Sequence, residues 1–217
     1  MVFGVILGGL SAIGGALATF CSTIGGALGT AISTIGIALA KLTPELINAV
    51  SNLITAVSQI FDILTKDEKP EEIGLKASLS DRKPEDFDST LEYIQHLRSM
   101  QLSPEDLEKL NDEKMKDVYK IGGMAIQING INEKIGMDLN IGDYVKFAEI
   151  GIKTGEQVKE IIEKFKEKDV EPNINDAIEG NLDIEEASDI IQTLKEGVLE
   201  IEDNNEIWKQ LNEMLGA

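Results

Sequence analysis

Little in this chain is suited to chemistry. One cysteine and one histidine among 217 residues leave no intramolecular disulfide and no zinc site of ordinary composition. A nucleophile of the Ser–His or Cys–His kind would have only His96 to draw on, and no G-x-S-x-G elbow accompanies it. Two arginines, Arg82 and Arg98, stand in a chain with 39 acids against 20 Lys and Arg, a net charge of −19. That balance excludes nucleic acid as a partner, because phosphates are held by Lys and Arg. It equally disfavours an electrostatic grip on anionic lipid.

Charge itself is missing from one long stretch. Val2 to Ala40 contains no charged residue and holds nine of the 20 glycines. Residues 1–64 carry only Lys41, Glu45 and Asp62, so the remaining 153 residues carry −18. No Lys or Arg precedes position 41, so the positive start of a cleavable signal peptide is absent, although Ala16-Leu17-Ala18 is a passable cleavage pattern. A lipoprotein signal fails because Phe20, not a small residue, precedes Cys21. Cys21 reads as a small hydrophobe.

The charge-free stretch repeats every eleven residues: Ser11-Ala-Ile-Gly-Gly-Ala-Leu-Ala-Thr, Ser22-Thr-Ile-Gly-Gly-Ala-Leu-Gly-Thr and Ser33-Thr-Ile-Gly-Ile-Ala-Leu-Ala. Eleven residues is close to three helical turns, so the repeat sorts residues by size. Ser11, Ser22 and Ser33 share a thin face with Gly15, Gly26, Thr19 and Thr30. Ile13, Ile24, Ile35, Leu17, Leu28, Leu39 and Phe20 make a thick one. Gly4-xxx-Gly8 and Gly25-xxx-Gly29 fit the small-xxx-small pattern of closely packed membrane helices. Gly4, Gly8, Ser11, Gly14, Gly15, Ser22, Gly25, Gly26, Gly29, Ser33 and Gly36 are therefore the candidate helix-packing residues. In water each interior glycine costs roughly 1 kcal/mol relative to alanine, whereas lipid or a protein partner would enforce the helix. A β-fibre is opposed by the eleven-residue period. The length allows one long helix or two membrane passes of about 20 residues each. The repeat stays in phase through Thr19–Thr23, where a hairpin would turn, and so favours the single helix.

Leu42 to Leu64 opens with Thr43-Pro44-Glu45, a cap, a first-turn proline and an acid. Leu46, Ile47, Val50, Leu53, Ile54, Val57, Ile60, Phe61 and Leu64 form a broad apolar stripe. The opposite face, with Asn48, Ser51, Asn52, Thr55, Ser58 and Gln59, is polar but uncharged. It reads as a core-facing helix, or alternatively as an interface or pore-lining one. Residues 65–83 read as a linker by composition. Residues 84–217 then show short apolar stripes joined by Gly, Asn and Asp turns: Phe87 to Leu97 on a helix expected from Pro84 to Met100, Leu107 to Ile121 after the helix start Ser103-Pro104-Glu105-Asp106, and a glycine-punctuated Met124 to Met137. Val145 to Ile152, Val158 to Phe165, Ile184 to Leu194 and Ile207 to Leu215 follow. Gly122-Gly123 is expected to interrupt or kink its helix.

Two resemblances to ion-binding loops fail on their residues. A phosphate loop ending at Lys41 would need glycines where Ile35 and Ala40 stand and a hydroxyl at Leu42. The stretch Asn175 to Glu186 has the outline of a calcium loop, with Gly180 and Glu186 in place, but Asn175 and Ala177 replace strong ligands.

The expectation is an all-α protein: a long glycine-rich apolar N-terminal helix or helical hairpin and an amphipathic helix (residues 1–64), a linker (65–83) and a compact acidic multi-helix domain (84–217). No catalytic, cofactor-binding or metal-ligating residue is expected, and the protein is not expected to be an enzyme. The leading functional expectation is a membrane-inserting or pore-forming protein, toxin-like or part of a phage or injection machine. It would be membrane-associated or in a secreted or virion assembly. A lipid bilayer or copies of itself would be partners, and the acidic domain would give solubility and dock a protein partner. The alternative is a structural subunit of a large homo- or hetero-oligomeric assembly packed through the glycine-rich helices.

Overall fold

A computed structural model describes the backbone of residues 3–216 and the side chains of residues 14–216. The protein is all-helical: among the described residues there are twelve α-helices, two single-turn 3-10 helices and no strand. The helices are α1 (Phe3–Ile24), α2 (Gly26–Leu39), α3 (Pro44–Ile60), α4 (Pro70–Leu79), α5 (Thr90–Ser99), α6 (Pro104–Glu108), α7 (Glu113–Ile135), α8 (Ile141–Glu149), α9 (Gly155–Lys168), α10 (Ile174–Glu179), α11 (Ile184–Glu200) and α12 (Asn205–Leu215). They form two compact units, each drawn from two stretches of chain: Met1–Thr43 with Asp62–Lys134, and Pro44–Phe61 with Ile135–Ala217.

The first unit is built around α7. Residues 121–128 are all buried, so this helix is enclosed on every side, as a helix apolar all round must be. Gly122-Gly123 does not interrupt it. The pair instead lets neighbours approach. A Cβ at Gly123 would fall on the Pro70 carbonyl, one at Gly74 on the Tyr119 carbonyl, and one at Gly122 on the Phe20 ring. Helix α4 thus crosses α7 backbone to backbone, and Phe20 lies over the other glycine, edge-on to Tyr119 at 5.9 Å. Part of the expected linker is therefore core. Pro70 starts α4 at its first position, where its missing N–H costs nothing, and Ile73, Leu75 and Ala77 are buried. Glu68 ties the preceding turn down by accepting from the Thr65 amide at 2.7 Å and pairing with Arg98 at 3.0 Å. The helix expected from Pro84 is a single 3-10 turn, Pro84–Asp86, and α5 begins only at Thr90, where the Ser89 hydroxyl accepts from the Glu92 amide. At α6, Ser103 and Asp106 form a reciprocal capping box.

The second unit packs α3 against α8 and α9, α9 against α11, α10 against α8 and α11, and α12 on α11. Again glycines set the closest approaches. A Cβ at Gly155 would lie 2.5 Å from the Ala56 carbonyl oxygen, and one at Gly197 would lie 2.9 Å from Ile161 Cα. Thr154 and Gln157 box the start of α9, and Val158, Ile161, Ile162 and Phe165 are its buried stripe.

The membrane expectation is corrected here. Among the described residues no helix is long and apolar enough to cross a membrane. Two physical reasons stand behind this. The charge-free stretch is broken at Gly25 and so is not one long helix: α2 has 14 residues, about 21 Å at 1.5 Å per residue against a hydrocarbon core of about 30 Å, and in α1, 22 residues long, the side chains are described only from residue 14 on. Its thick face is also already covered: Phe20, Ile24, Leu28, Ile32, Ile35 and Leu39 are buried within the first unit. The transmembrane, pore-forming and membrane-associated readings are withdrawn.

Candidate functional site

The glycine-rich stretch forms a hairpin, not the single helix its repeat favoured. Gly25 (φ 79°) and Gly26 (φ 53°) occupy the left-handed region that side-chain-bearing residues avoid. The chain reverses there, and α1 and α2 pack against each other. Gly29 accepts the close approach of Cys21, whose carbonyl oxygen would lie 2.6 Å from a Cβ, and Gly36 receives the Leu17 side chain. The 3-10 turn Pro84–Asp86 holds the hairpin tip. Lys83 Nζ donates to the Thr23 carbonyl at 2.6 Å, a cation at the negative end of the α1 dipole, and Glu85 fills the space beside Gly26. Cys21 is half-buried, and burial pushes its thiol up.

The hairpin's outer face is open and uncharged. Gly14, Gly15, Ala18, Thr19, Ser22, Thr23, Gly26, Ala27, Thr30 and Thr34 are exposed, and Ile37 is 62% exposed. Its hydroxyls are turned inward along the helix. Thr19 donates to the Gly15 carbonyl at 3.0 Å, Ser22 to Ala18 at 2.9 Å, Thr23 to Thr19 at 3.0 Å, Thr30 to Gly26 at 3.3 Å and Thr34 to Thr30 at 3.1 Å. Back-bonding of this kind uses up the donor protons and leaves methyl groups and helix backbone outermost. A Cβ at Gly14 or Gly15 would meet nothing within 4 Å.

The expected packing residues therefore separate into distinct roles. Gly25 and Gly26 make the turn; Gly29 and Gly36 are buried between the two helices; Gly14, Gly15 and Ser22 lie on the open face; Ser33 is half-buried. The side chains of Gly4, Gly8 and Ser11 lie outside the described residues. The α3 stripe is placed in the second unit. Val50, Leu53, Ile54 and Val57 are core, Leu46, Ile47, Ile60 and Phe61 are half-buried, and Leu64 is buried in the first unit beyond the end of α3. Ser51 and Ser58 on the polar side of α3 are buried as well.

Two polar arrangements were not visible in the sequence. His96 Nε2 lies 3.2 Å from Ser80 Oγ. The serine hydroxyl also lies 2.8 Å from the Arg82 carbonyl and accepts from the Arg82 amide. It has one proton to give, and the shorter contact takes it, so His96 donates to the serine instead of activating it. Phe87 stacks beside His96 at 5.2 Å and under the Arg82 guanidinium at 3.9 Å, which completes a locked turn. The second arrangement is Asp143, fully buried at the start of α8. One oxygen accepts from the Asn140 amide at 2.7 Å and the other from the Asn175 amide at 2.9 Å, fastening α8 to α10. Burial pushes its carboxyl up to about 6 against the pull of those amides. The Asn140-x-x-Asp143 spacing of a capping box was its only sequence signal. The residues of the calcium-loop outline form the end of α10, a left-handed Gly180 and the Asp183 cap of α11, a helix–turn–helix.

No family model, curated protein or solved structure matches the chain.

Proposed function

We propose that the chain is a structural subunit that assembles with copies of itself through the outer face of the α1–α2 hairpin. One observation carries the reading. Gly14 and Gly15 lie in the interior of α1, on open surface, with nothing among the described residues near enough to require a glycine. Each costs roughly 1 kcal/mol of helix stability relative to alanine. A second helix lying on that face would account for both, because glycines admit a backbone where side chains would hold it off. The back-bonded hydroxyls suit such a dry contact. Charge supports a second copy as occupant. The chain carries −19, so copies repel over their acidic surfaces, whereas the hairpin's outer face has no charged residue of its own and meets a carboxylate only at its tip, where Glu85 lies beside Gly26.

The test is site-directed cross-linking. With Cys21 replaced by alanine, a Ser22→Cys variant treated with a short bismaleimide is expected to give covalent dimers at micromolar concentration. A Glu202→Cys control in the second unit is expected to give none. Equal cross-linking at both positions, or none at position 22, would contradict the proposal.

A further inference from the structure

The two ends of the hairpin differ, and each carries a pair of features that the chain itself leaves unmatched. Away from the tip stand a knob and a hole. Ile37 is exposed on α2, and Gly14 and Gly15 are bare on α1. Gly36 receives Leu17, which fixes the register of the two antiparallel helices. At 1.5 Å per residue, Ile37 then stands within about 3 Å of the height of Gly14 and Gly15. Its side chain does not cover them, since a Cβ at either glycine would meet nothing within 4 Å.

At the tip stand two charges of opposite sign, one on each leg. Lys83 Nζ lies at the Thr23 carbonyl, near the end of α1, and the Glu85 carboxylate lies beside Gly26, at the start of α2. Neither side chain enters an ion pair among the described residues. The α1 leg therefore presents a hole and then a cation, and the α2 leg a knob and then an anion, in the same order toward the tip.

One symmetry operation matches both pairs. A two-fold axis parallel to the hairpin, between two facing copies, lays α1 of each on α2 of the other at unchanged height. We infer that the assembly contact is this closed two-fold one, with Ile37 of each copy seated on Gly14 and Gly15 of the other and Glu85 of each beside Lys83 of the other. The inference rests on the hairpin reading above and names its partner surface. Such a contact is self-complementary and closes at two copies, and the crossed charges fix its orientation. A two-fold axis across the helices fails on the same residues. It would set Ile37 against Ile37 and carry the two tips to opposite ends, leaving Lys83 and Glu85 without opposite charges.

The experiment uses the full chain with Cys21→Ala. An Ile37→Cys chain mixed with an Ala18→Cys chain and oxidised is expected to give a disulfide-linked heterodimer. Position 18 is exposed one turn beyond Gly14 and Gly15; Ile37→Cys alone should give little dimer. Ile37→Ser should weaken association tenfold or more, as the loss of a buried isoleucine implies. Lys83→Glu and Glu85→Lys should each associate several-fold more weakly, whereas their equal mixture should associate more tightly than either alone, by a margin that shrinks as salt rises. An unchanged far-UV circular dichroism melt is the folding control for each variant. Dimers linked from position 37 to position 37, an undiminished affinity in Ile37→Ser, or a charge mixture no tighter than its components would overturn this inference and leave the hairpin reading standing. A chain that stays monomeric throughout the micromolar range would overturn both.

Discussion

Asp143 makes the second unit respond to pH in a direction opposite to most folded proteins in mild acid. Its carboxyl titrates at about 6 in the fold against 3.8 as an ordinary aspartate, with burial as the leading cause and Asp176 adding a like charge. A rise of about two units corresponds to roughly 3 kcal/mol. The folded state binds this proton more readily than the unfolded chain does. The stabilising contribution is therefore complete below pH 3.8 and is lost as pH rises through 6. Between about pH 4 and 6 it changes by up to about 1.4 kcal/mol per pH unit. The carboxyls held low, Asp106, Glu179 and Glu196 among them, act in the other sense, and only as pH falls through their depressed values. Relief of acidic self-repulsion runs in the same direction as Asp143, so the assay compares two proteins. Urea unfolding of the wild type and of Asp143→Asn, from pH 4.5 to 7.5, isolates the linked term. The difference in stability between them should narrow or reverse as pH rises, and the Asp143 carboxyl carbon should titrate near 6 by NMR. Parallel profiles for the two proteins, or a carboxyl that titrates below 4, would refute the reasoning.

Further expectations concern packing and caps. Gly74→Ala and Gly123→Ala place a Cβ on a backbone carbonyl at the α4–α7 crossing and should each cost about 1–3 kcal/mol by overpacking, read from denaturant midpoints. Leu75→Ala, in the stretch that composition assigned to a linker, removes a fully buried side chain and should cost about 2–5 kcal/mol; a value near zero would return that stretch to loop. Thr154→Ala removes the reciprocal cap of α9 and should cost about 1 kcal/mol, with Thr154→Ser restoring most of it.

The glycine pairs show how far the sequence could be read. Gly14-Gly15, Gly25-Gly26 and Gly122-Gly123 look alike in one dimension. The first remains open helix, the second turns the chain, and the third is helix pressed against α4 and Phe20. Local propensity cannot separate these outcomes, because what differs is the element that packs on each. The eleven-residue repeat misled for the same reason. It sets which residues share a face in either a straight helix or a hairpin, and the reversal needs only two residues with positive φ. Patterns carried by nearest neighbours were legible. Thr43-Pro44-Glu45 opens α3, Ser103-Pro104 opens α6, and the stripe from Val158 to Phe165 is the buried face of α9. The stripe on α11 was assigned too widely: Ile190 and Leu194 are inside, while Ile184 is bare and Ile191 half-buried. Helical spacing alone does not tell one apolar face from two adjoining ones. Asp143 and the Ser80–His96 lock join residues distant in the chain, and nothing local announces them.

Whether the hairpin's outer face is an assembly surface is read most directly from the solution mass of the protein and of Gly14→Ala/Gly15→Ala by sedimentation equilibrium. The wild type is expected to sediment as a multiple of its 23.6 kDa chain. The double variant, whose added Cβ atoms meet nothing within 4 Å among the described residues, should gain up to about 2 kcal/mol of helix stability yet associate at least tenfold more weakly. A wild type that is monomeric throughout the micromolar range, or a double variant of undiminished mass, would contradict it.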